Sequence, residues 1–160
     1  SYTKRFTQYC HLYLGFAIGL APAGAWVALT GSLSFGIVLL SLALMTYIAG
    51  FDILYACQDI DFDKKEGLFS LPASVGAKKA MTVSSLLHVS TLILLFAMYW
   101  VFAMHPVFLI FLGIIALLLL VEHRLVKPDD LSHINIAFFH MNSIVSVLLF
   151  AGVLIQEFFK

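Results

Sequence analysis

The stretch Phe35-Gly-Ile-Val-Leu-Leu-Ser-Leu-Ala-Leu-Met-Thr-Tyr47-Ile-Ala-Gly-Phe-Asp52-Ile-Leu-Tyr55-Ala-Cys57-Gln-Asp59-Ile-Asp61-Phe-Asp63-Lys64-Lys65 decides how the chain folds. No charge interrupts it between Phe35 and Phe51. Wound as a helix, about 20 such residues cross a hydrocarbon core of about 30 Å, which separates a membrane span from a buried core helix. Asp52 then falls inside the far end of the span, and Asp59, Asp61 and Asp63 come next as the segment leaves the membrane.

Four more runs of this kind flank it, so the expected spans are about 9–28, 35–57, 82–104, 106–126 and 134–159. The composition agrees: 62% of residues are hydrophobic and 11% charged, with a mean hydropathy of +1.01, whereas charged residues make up about 25% of soluble domains. These features imply an all-α membrane protein of about five transmembrane helices. Net charge is zero and no basic run occurs, which speaks against a nucleic-acid partner. Cys10 and Cys57 show neither disulfide nor zinc-ligand spacing. The chain opens Ser-Tyr-Thr-Lys-Arg, without initiator Met or signal peptide, and is expected to be a fragment that begins inside a larger protein.

Five antiparallel spans segregate the positive charges. Lys4, Arg5, Lys64, Lys65, Lys78, Lys79, Arg124 and Lys127 fall on one side and only Lys160 on the other. Cytoplasmic loops retain Lys and Arg, so the start of the chain, the 58–81 loop and the 122–133 loop are expected in the cytoplasm, with the chain in the cell's inner membrane. On span one, Gly15, Gly19 and Ala23 form a ridge of small residues that lets another helix approach closely, and Pro22 is expected to kink it.

A carboxylate inside a span costs on the order of 2.5–3.5 kcal/mol at the helix centre and less near its end, so Asp52 needs a partner. If the helix continues, residues 52, 55, 59 and 63 stack on one face, with Asp61 on the other. Three like charges on one stripe repel, and a cation removes the conflict. Oxygen ligands without His or Cys suit Mg²⁺, which binds one or two carboxylates together with substrate phosphates. A solvated acidic loop at a helix end is the plainer reading of such a run; Asp52 inside the span and the shared face argue against it.

The pattern Asp52-x-x-Tyr55-x-x-x-Asp59-x-x-x-Asp63, followed by Gly67-x-x-Ser70-x-Pro72-x-x-x-Gly76, resembles the second aspartate-rich motif of the UbiA superfamily of intramembrane aromatic prenyltransferases. Lys4-Arg5-Phe6-Thr7 and Ala21-Pro22-x-Gly24-Ala25-Trp26 are similar to the segment before the family's fifth helix and to that helix. His123-x-Leu125-Val126 and Ala137-Phe138-Phe139-x-x-Asn142 resemble the bacterial branch acting on 4-hydroxybenzoate or a related menaquinone precursor. The resemblance covers nearly the whole chain and implies half of a nine-helix bundle, the fifth to ninth spans. The family's first motif, Asn-x-x-x-Asp-x-x-x-Asp, has no match here, so the N-terminal spans that would carry it are an expected partner, and the chain alone is expected to be inactive.

That resemblance implies Mg²⁺-dependent transfer of a polyprenyl group from its diphosphate to an aromatic acid in ubiquinone or menaquinone biosynthesis, at the cytoplasmic face. Asp59 and Asp63 would be metal ligands, and Asp52 a ligand or the partner of one; Lys4, Arg5 and Lys64 would neutralise the leaving diphosphate. Tyr55 would steady the carbocation or the acceptor, or act as an interfacial anchor. Haem, chlorophyllide, homogentisate or a glycerol ether lipid are alternative acceptors within the superfamily. The alternative from another class is a cation-binding or transport-type membrane protein, disfavoured on the expectation that deep carboxylates are confined to the end of span two. Asn135, Asn142 and Ser146 are read as a stripe for interhelical hydrogen bonds. The six histidines, at 11, 88, 105, 123, 133 and 140, share no spacing and are read as interface or packing residues rather than ligands.

Overall fold

The computed structural model describes residues 2–128, 130, 131, 134 and 137–159, without the side chains of Ala137 and Phe138. Asn135, in the expected polar stripe, His133 and the lone opposite-side charge Lys160 lie outside the described residues. Among the described residues there are five long helices: α1 (Cys10–Thr30), α2 (Phe35–Ala56), α5 (Ala77–Val101), α6 (Val107–Leu125) and α7 (Asn142–Glu157). Two short helices, α3 (Ile60–Lys65) and α4 (Leu71–Val75), lie between α2 and α5. A 3₁₀ turn, Tyr2–Arg5, precedes α1, and a π turn, Ala137–Met141, leads into α7. Each long segment is apolar enough to cross a membrane.

Local chemistry sets the ends. Gly31 takes a left-handed conformation (φ 70°) that closes α1, returning its N–H to the Val27 carbonyl at 2.9 Å. Ser34 caps α2 by accepting from the Ile37 N–H. Helix α5 starts at Ala77, ahead of the apolar run expected from about residue 82. Its first turn carries Lys78 and Lys79, whose long side chains reach past the apolar boundary while the backbone stays helical.

Lipid tails are as apolar as leucine, so close backbone packing and interhelical hydrogen bonds have to hold the helices together. Gly15 and Gly19 supply the first. A Cβ at Gly19 would sit 2.8 Å from the Ser41 carbonyl oxygen, and one at Gly15 would overlap that of Met45. Helix α1 is thus antiparallel to α2 and in near backbone contact with it. On the other side of α2, Gly50 makes room for His88 of α5, and the Ser84 hydroxyl donates to the Gly50 carbonyl at 2.7 Å. Further out, the Thr46 and Thr91 hydroxyls share a hydrogen bond of 2.8 Å, and the Tyr47 hydroxyl donates to Asn142 Oδ1 on α7 at 3.1 Å. Asn142 therefore serves the interhelical bonding expected of it. Helix α2 is flanked on both sides, by α1 and α5, and the acidic segment grows from its end.

Gly19→Leu is expected to destabilise the bundle by about 1–3 kcal/mol through overpacking of the α1–α2 seam. Gly24→Leu, where nothing lies within 4 Å, should leave stability unchanged or slightly raised. Thermal unfolding in detergent micelles measures both, and equal sensitivity of the two glycines would contradict the seam.

Candidate functional site

The acidic segment does not continue α2 as one regular helix. Helix α2 ends at Ala56, Cys57–Asp59 form a 3₁₀ turn, and α3 restarts at Ile60. A 3₁₀ turn advances by three residues rather than 3.6, so residues beyond it are rotated away from the stripe that an unbroken helix would give. The expectation of a single face through 52, 55, 59 and 63 is corrected accordingly. Asp61 is exposed and Asp63 is buried, at 1% exposure.

Asp63 and Asp52 of the acidic segment each have a partner of their own. Lys4 Nζ donates to both oxygens of Asp63, at 3.1 and 3.3 Å, with 18% of the lysine side chain exposed. Asp52, whose side chain is 31% exposed, receives His11 Nδ1 at 2.6 Å. The Leu71 backbone N–H donates to the other ring nitrogen of His11, Nε2, at 3.3 Å. Since an N–H can only donate, Nε2 of His11 is bare and Nδ1 carries the hydrogen that Asp52 accepts. The Phe69 N–H also donates to the Lys4 carbonyl at 2.6 Å. The loop after α3 is thereby tied to the start of the chain at Lys4 and to α1 at His11, the two residues that pair with the carboxylates.

The remaining expected residues are dispersed around this core. Asp59 is partly exposed in the 3₁₀ turn, and Lys64 and Arg5 are exposed, with the Arg5 guanidinium 5.7 Å from the centre of the Tyr2 ring. Tyr55 is half-buried against the cluster of Ile53, Leu54, Cys57 and Met81. The structure thus joins Lys4 to Asp63 and Asp52 to His11. Among the described residues, it brings no three His, Cys, Asp or Glu side chains together as an ion cage. The donors fit Mg²⁺ in a narrower sense: they are all oxygens, and this ion accepts one or two carboxylates while substrate phosphates and water complete its shell.

Three functional candidates escape any reading by spacing. His11 is an interface residue between α1 and α2, as expected of it, and there it also holds the site carboxylate Asp52; its signal is its place on the Gly15 and Gly19 face of span one, which must meet span two. Glu122, expected in a loop, is a fully buried residue of α6, and neither of its oxygens is hydrogen-bonded by any of the described residues, so deep carboxylates are not confined to the end of α2. His88 lies beside it, with Nδ1 3.9 Å from Glu122 Oε2. Below the acidic end, an apolar cavity of about 370 Å³ opens between the helices, lined by Pro22, Leu40, Leu44, Leu95, Ile115 and Leu149.

Residues 1–144 match the sequence profile of the UbiA prenyltransferase family. The chain is similar to a 4-hydroxybenzoate octaprenyltransferase of Sodalis glossinidius, 29% identical over 155 residues that cover 97% of this chain and 53% of that protein. A 4-hydroxybenzoate octaprenyltransferase of Nitrosospira multiformis is 27% identical over the same shares. The apo structure of a UbiA homolog from Aeropyrum pernix K1 superposes with a TM-score of 0.80 at 27% identity, covering 98% of this chain and 58% of that one. The chain spans about half the length of the curated relatives it matches.

Removing one partner of a buried ion pair strands the other charge. Lys4→Met is expected to destabilise the protein by about 3 kcal/mol, the low end for such a loss because Lys4 is partly exposed. The double variant Lys4→Met/Asp63→Asn should recover part of that loss, because the stranded charge is gone. Thermal unfolding of the two variants decides; a double variant no more stable than the single one would refute the pairing.

Proposed function

The chain belongs to the UbiA prenyltransferase family, and from that premise we propose that it carries one half of the site that moves a polyprenyl group from its diphosphate onto an aromatic acid resembling 4-hydroxybenzoate, in ubiquinone or menaquinone biosynthesis. The observation that carries this reading is where the charges lie. Asp52, Asp59 and Asp63, with Lys4 among them, stand where the apolar bundle ends and the Lys/Arg-rich loops begin. A ligand with a diphosphate head and a hydrocarbon tail needs that junction.

In this reading Lys4 releases Asp63 and turns its ammonium to the diphosphate oxygens, with Arg5 and Lys64 at the exposed rim adding positive charge. Charge placed at the departing oxygens lowers the barrier to breaking the allylic carbon–oxygen bond. Asp59, Asp63 and Asp52 would hold Mg²⁺, which when bound offsets the diphosphate charge. His11 keeps the Asp52 carboxylate in one orientation, with its own ring fixed by the Leu71 N–H. Tyr55 offers a π face and a hydroxyl beside the position where the allylic cation forms. The apolar cavity begins about two turns along α2 from Tyr55, at Tyr47, and would shelter part of the tail from water. By the positive-inside rule the site faces the cytoplasm. Because Glu122 also lies deep, the distribution of carboxylates no longer separates enzyme from transporter; family membership supports the enzyme.

In the full-length protein, Asp59→Asn and Asp63→Asn are each expected to lower turnover about 100-fold or more, the scale for losing one group that stabilises developing charge. Asp61→Asn, at an exposed position, should stay within a few-fold, and chelation of divalent cations should stop transfer. Transfer of labelled prenyl groups to 4-hydroxybenzoate, in membranes of a host lacking its own enzyme, reads all of these. Equal sensitivity at 59, 61 and 63 would overturn the assignment of roles.

A further inference from the structure

Of the two partnered carboxylates in the acidic segment, one is open and one is closed. Asp52 keeps 31% of its side chain exposed, and the hydrogen bond from His11 falls on one oxygen, Oδ2. His11 is held in turn by the Leu71 N–H, so this pairing fixes the carboxylate without covering it. Asp63 is 1% exposed, and Lys4 Nζ spans both of its oxygens, at 3.1 and 3.3 Å. A cation approaching Asp63 meets the ammonium in the place it would take.

The backbones on either side of this contact are fixed, and the side chain between them is not. The Phe69 N–H donates to the Lys4 carbonyl at 2.6 Å, and the Leu68 N–H donates to the Asp63 carbonyl at 2.7 Å. Neither residue can draw back as a segment without breaking a hydrogen bond. Lys4 has a flexible aliphatic stem, however, and 18% of its side chain is already exposed. The ammonium can therefore leave Asp63 by changing rotamers alone. Leaving by itself would strand a buried carboxylate, which is strongly unfavourable. Displacement by a divalent cation would instead leave the ammonium beside a like charge. Only a ligand that brings anionic oxygens of its own removes both obstacles.

We propose that Lys4 is an internal lock on the site, holding Asp63 against cations until a diphosphate takes the ammonium over. This rests on the prenyl-transfer reading and adds an order of events to it. Without a diphosphate, a divalent cation competes with the ammonium for the same two oxygens. With one, the ammonium turns to the phosphate oxygens and Asp63 is free to ligate, so each ligand favours the other. Linkage makes the coupling reciprocal: the factor by which the diphosphate raises cation affinity is the factor by which the cation raises diphosphate affinity. Such couplings are typically about 5–150-fold. The lock keeps Asp63 from its cation until there is a diphosphate for the cation to act on.

The test uses full-length protein in lipid nanodiscs, Mn²⁺ as the cation, and farnesyl S-thiolodiphosphate, whose bridging sulfur resists cleavage. Bound Mn²⁺ is counted by electron paramagnetic resonance after equilibrium dialysis, with empty nanodiscs as the blank. In the unaltered protein the analogue is expected to tighten Mn²⁺ binding on the order of 10-fold or more. Lys4→Met should bind Mn²⁺ about 10-fold tighter than the unaltered protein when no analogue is present, and the analogue should then add little. Lys4→Arg keeps the ion pair, and its guanidinium grips a carboxylate through two parallel hydrogen bonds, so it should bind Mn²⁺ more weakly than the unaltered protein. Damage to the fold would weaken both variants, whereas the lock requires shifts of opposite sign. In Lys4→Met/Asp63→Asn the gain should vanish. Mn²⁺ binding no tighter in Lys4→Met, or no weaker in Lys4→Arg, would overturn the proposal, as would equal Mn²⁺ affinity with and without the analogue in the unaltered protein. If the unaltered protein binds neither Mn²⁺ nor the analogue, the prenyl-transfer reading fails first and this one with it.

Discussion

At Gly15 and Gly19 the backbone of α1 lies against the carbonyl oxygens of Met45 and Ser41, closer than any side chain allows. His11 stands one turn before Gly15 on the same face of α1, and the antiparallel crossing brings it to Asp52, one turn past the level of Met45 and Ala49 on α2. The His11–Asp52 contact is the last rung of that seam. Were the two helices separated by the usual 8–10 Å of larger side chains, an imidazole on α1 would not reach Asp52 at 2.6 Å. The geometry of the acidic site is thus inherited from two missing side chains lower in the bundle.

Helix α2 divides the polar chemistry between its two sides. Toward α1 it presents Asp52, tied through His11 to the Leu71 N–H, while the neighbouring strand of loop holds Lys4 against Asp63. Toward α5, α6 and α7 it presents Tyr47, Gly50 and Phe51, which meet Asn142, Ser84, His88 and the surroundings of Glu122. Tyr55 lies between the two sides. A ligand at the end of α2 would therefore meet carboxylates and ammonium on one hand, with Glu122 and His88 buried on the other.

Much of this is legible in the residues. Span number, the segregation of Lys and Arg and the small-residue ridge are readable because each depends on composition within a few turns, which lipid constrains strongly. The acidic stripe is readable as chemistry but not as geometry: its spacing assumes one helix, and the 3₁₀ turn at Cys57–Asp59 rotates α3 out of register with α2. Lys4 with Asp63, and His11 with Asp52, join positions far apart in sequence, and their meeting depends on how α1 is rotated against α2. Spacing along one helix holds no such information. Glu122 is hidden for another reason. It adjoins His123 and Arg124, so it looks like the edge of a loop, whereas α6 runs on to Leu125 and draws it inside.

The magnitudes show why the bundle tolerates that residue. A carboxyl in the apolar interior costs on the order of 2.5–3.5 kcal/mol at a helix centre and less toward the end, where Glu122 sits. Interhelical hydrogen bonds in membranes contribute about 0.6 kcal/mol each. Those from Ser84 to Gly50, between Thr46 and Thr91, and from Tyr47 to Asn142 all converge on α2 and together supply about 2 kcal/mol. Among the described residues the Ser41 hydroxyl is also buried without a partner, but it is a small neutral group and weighs less. The polar contacts around α2 therefore roughly offset the carboxyl of Glu122, which accepts no hydrogen bond from the described residues.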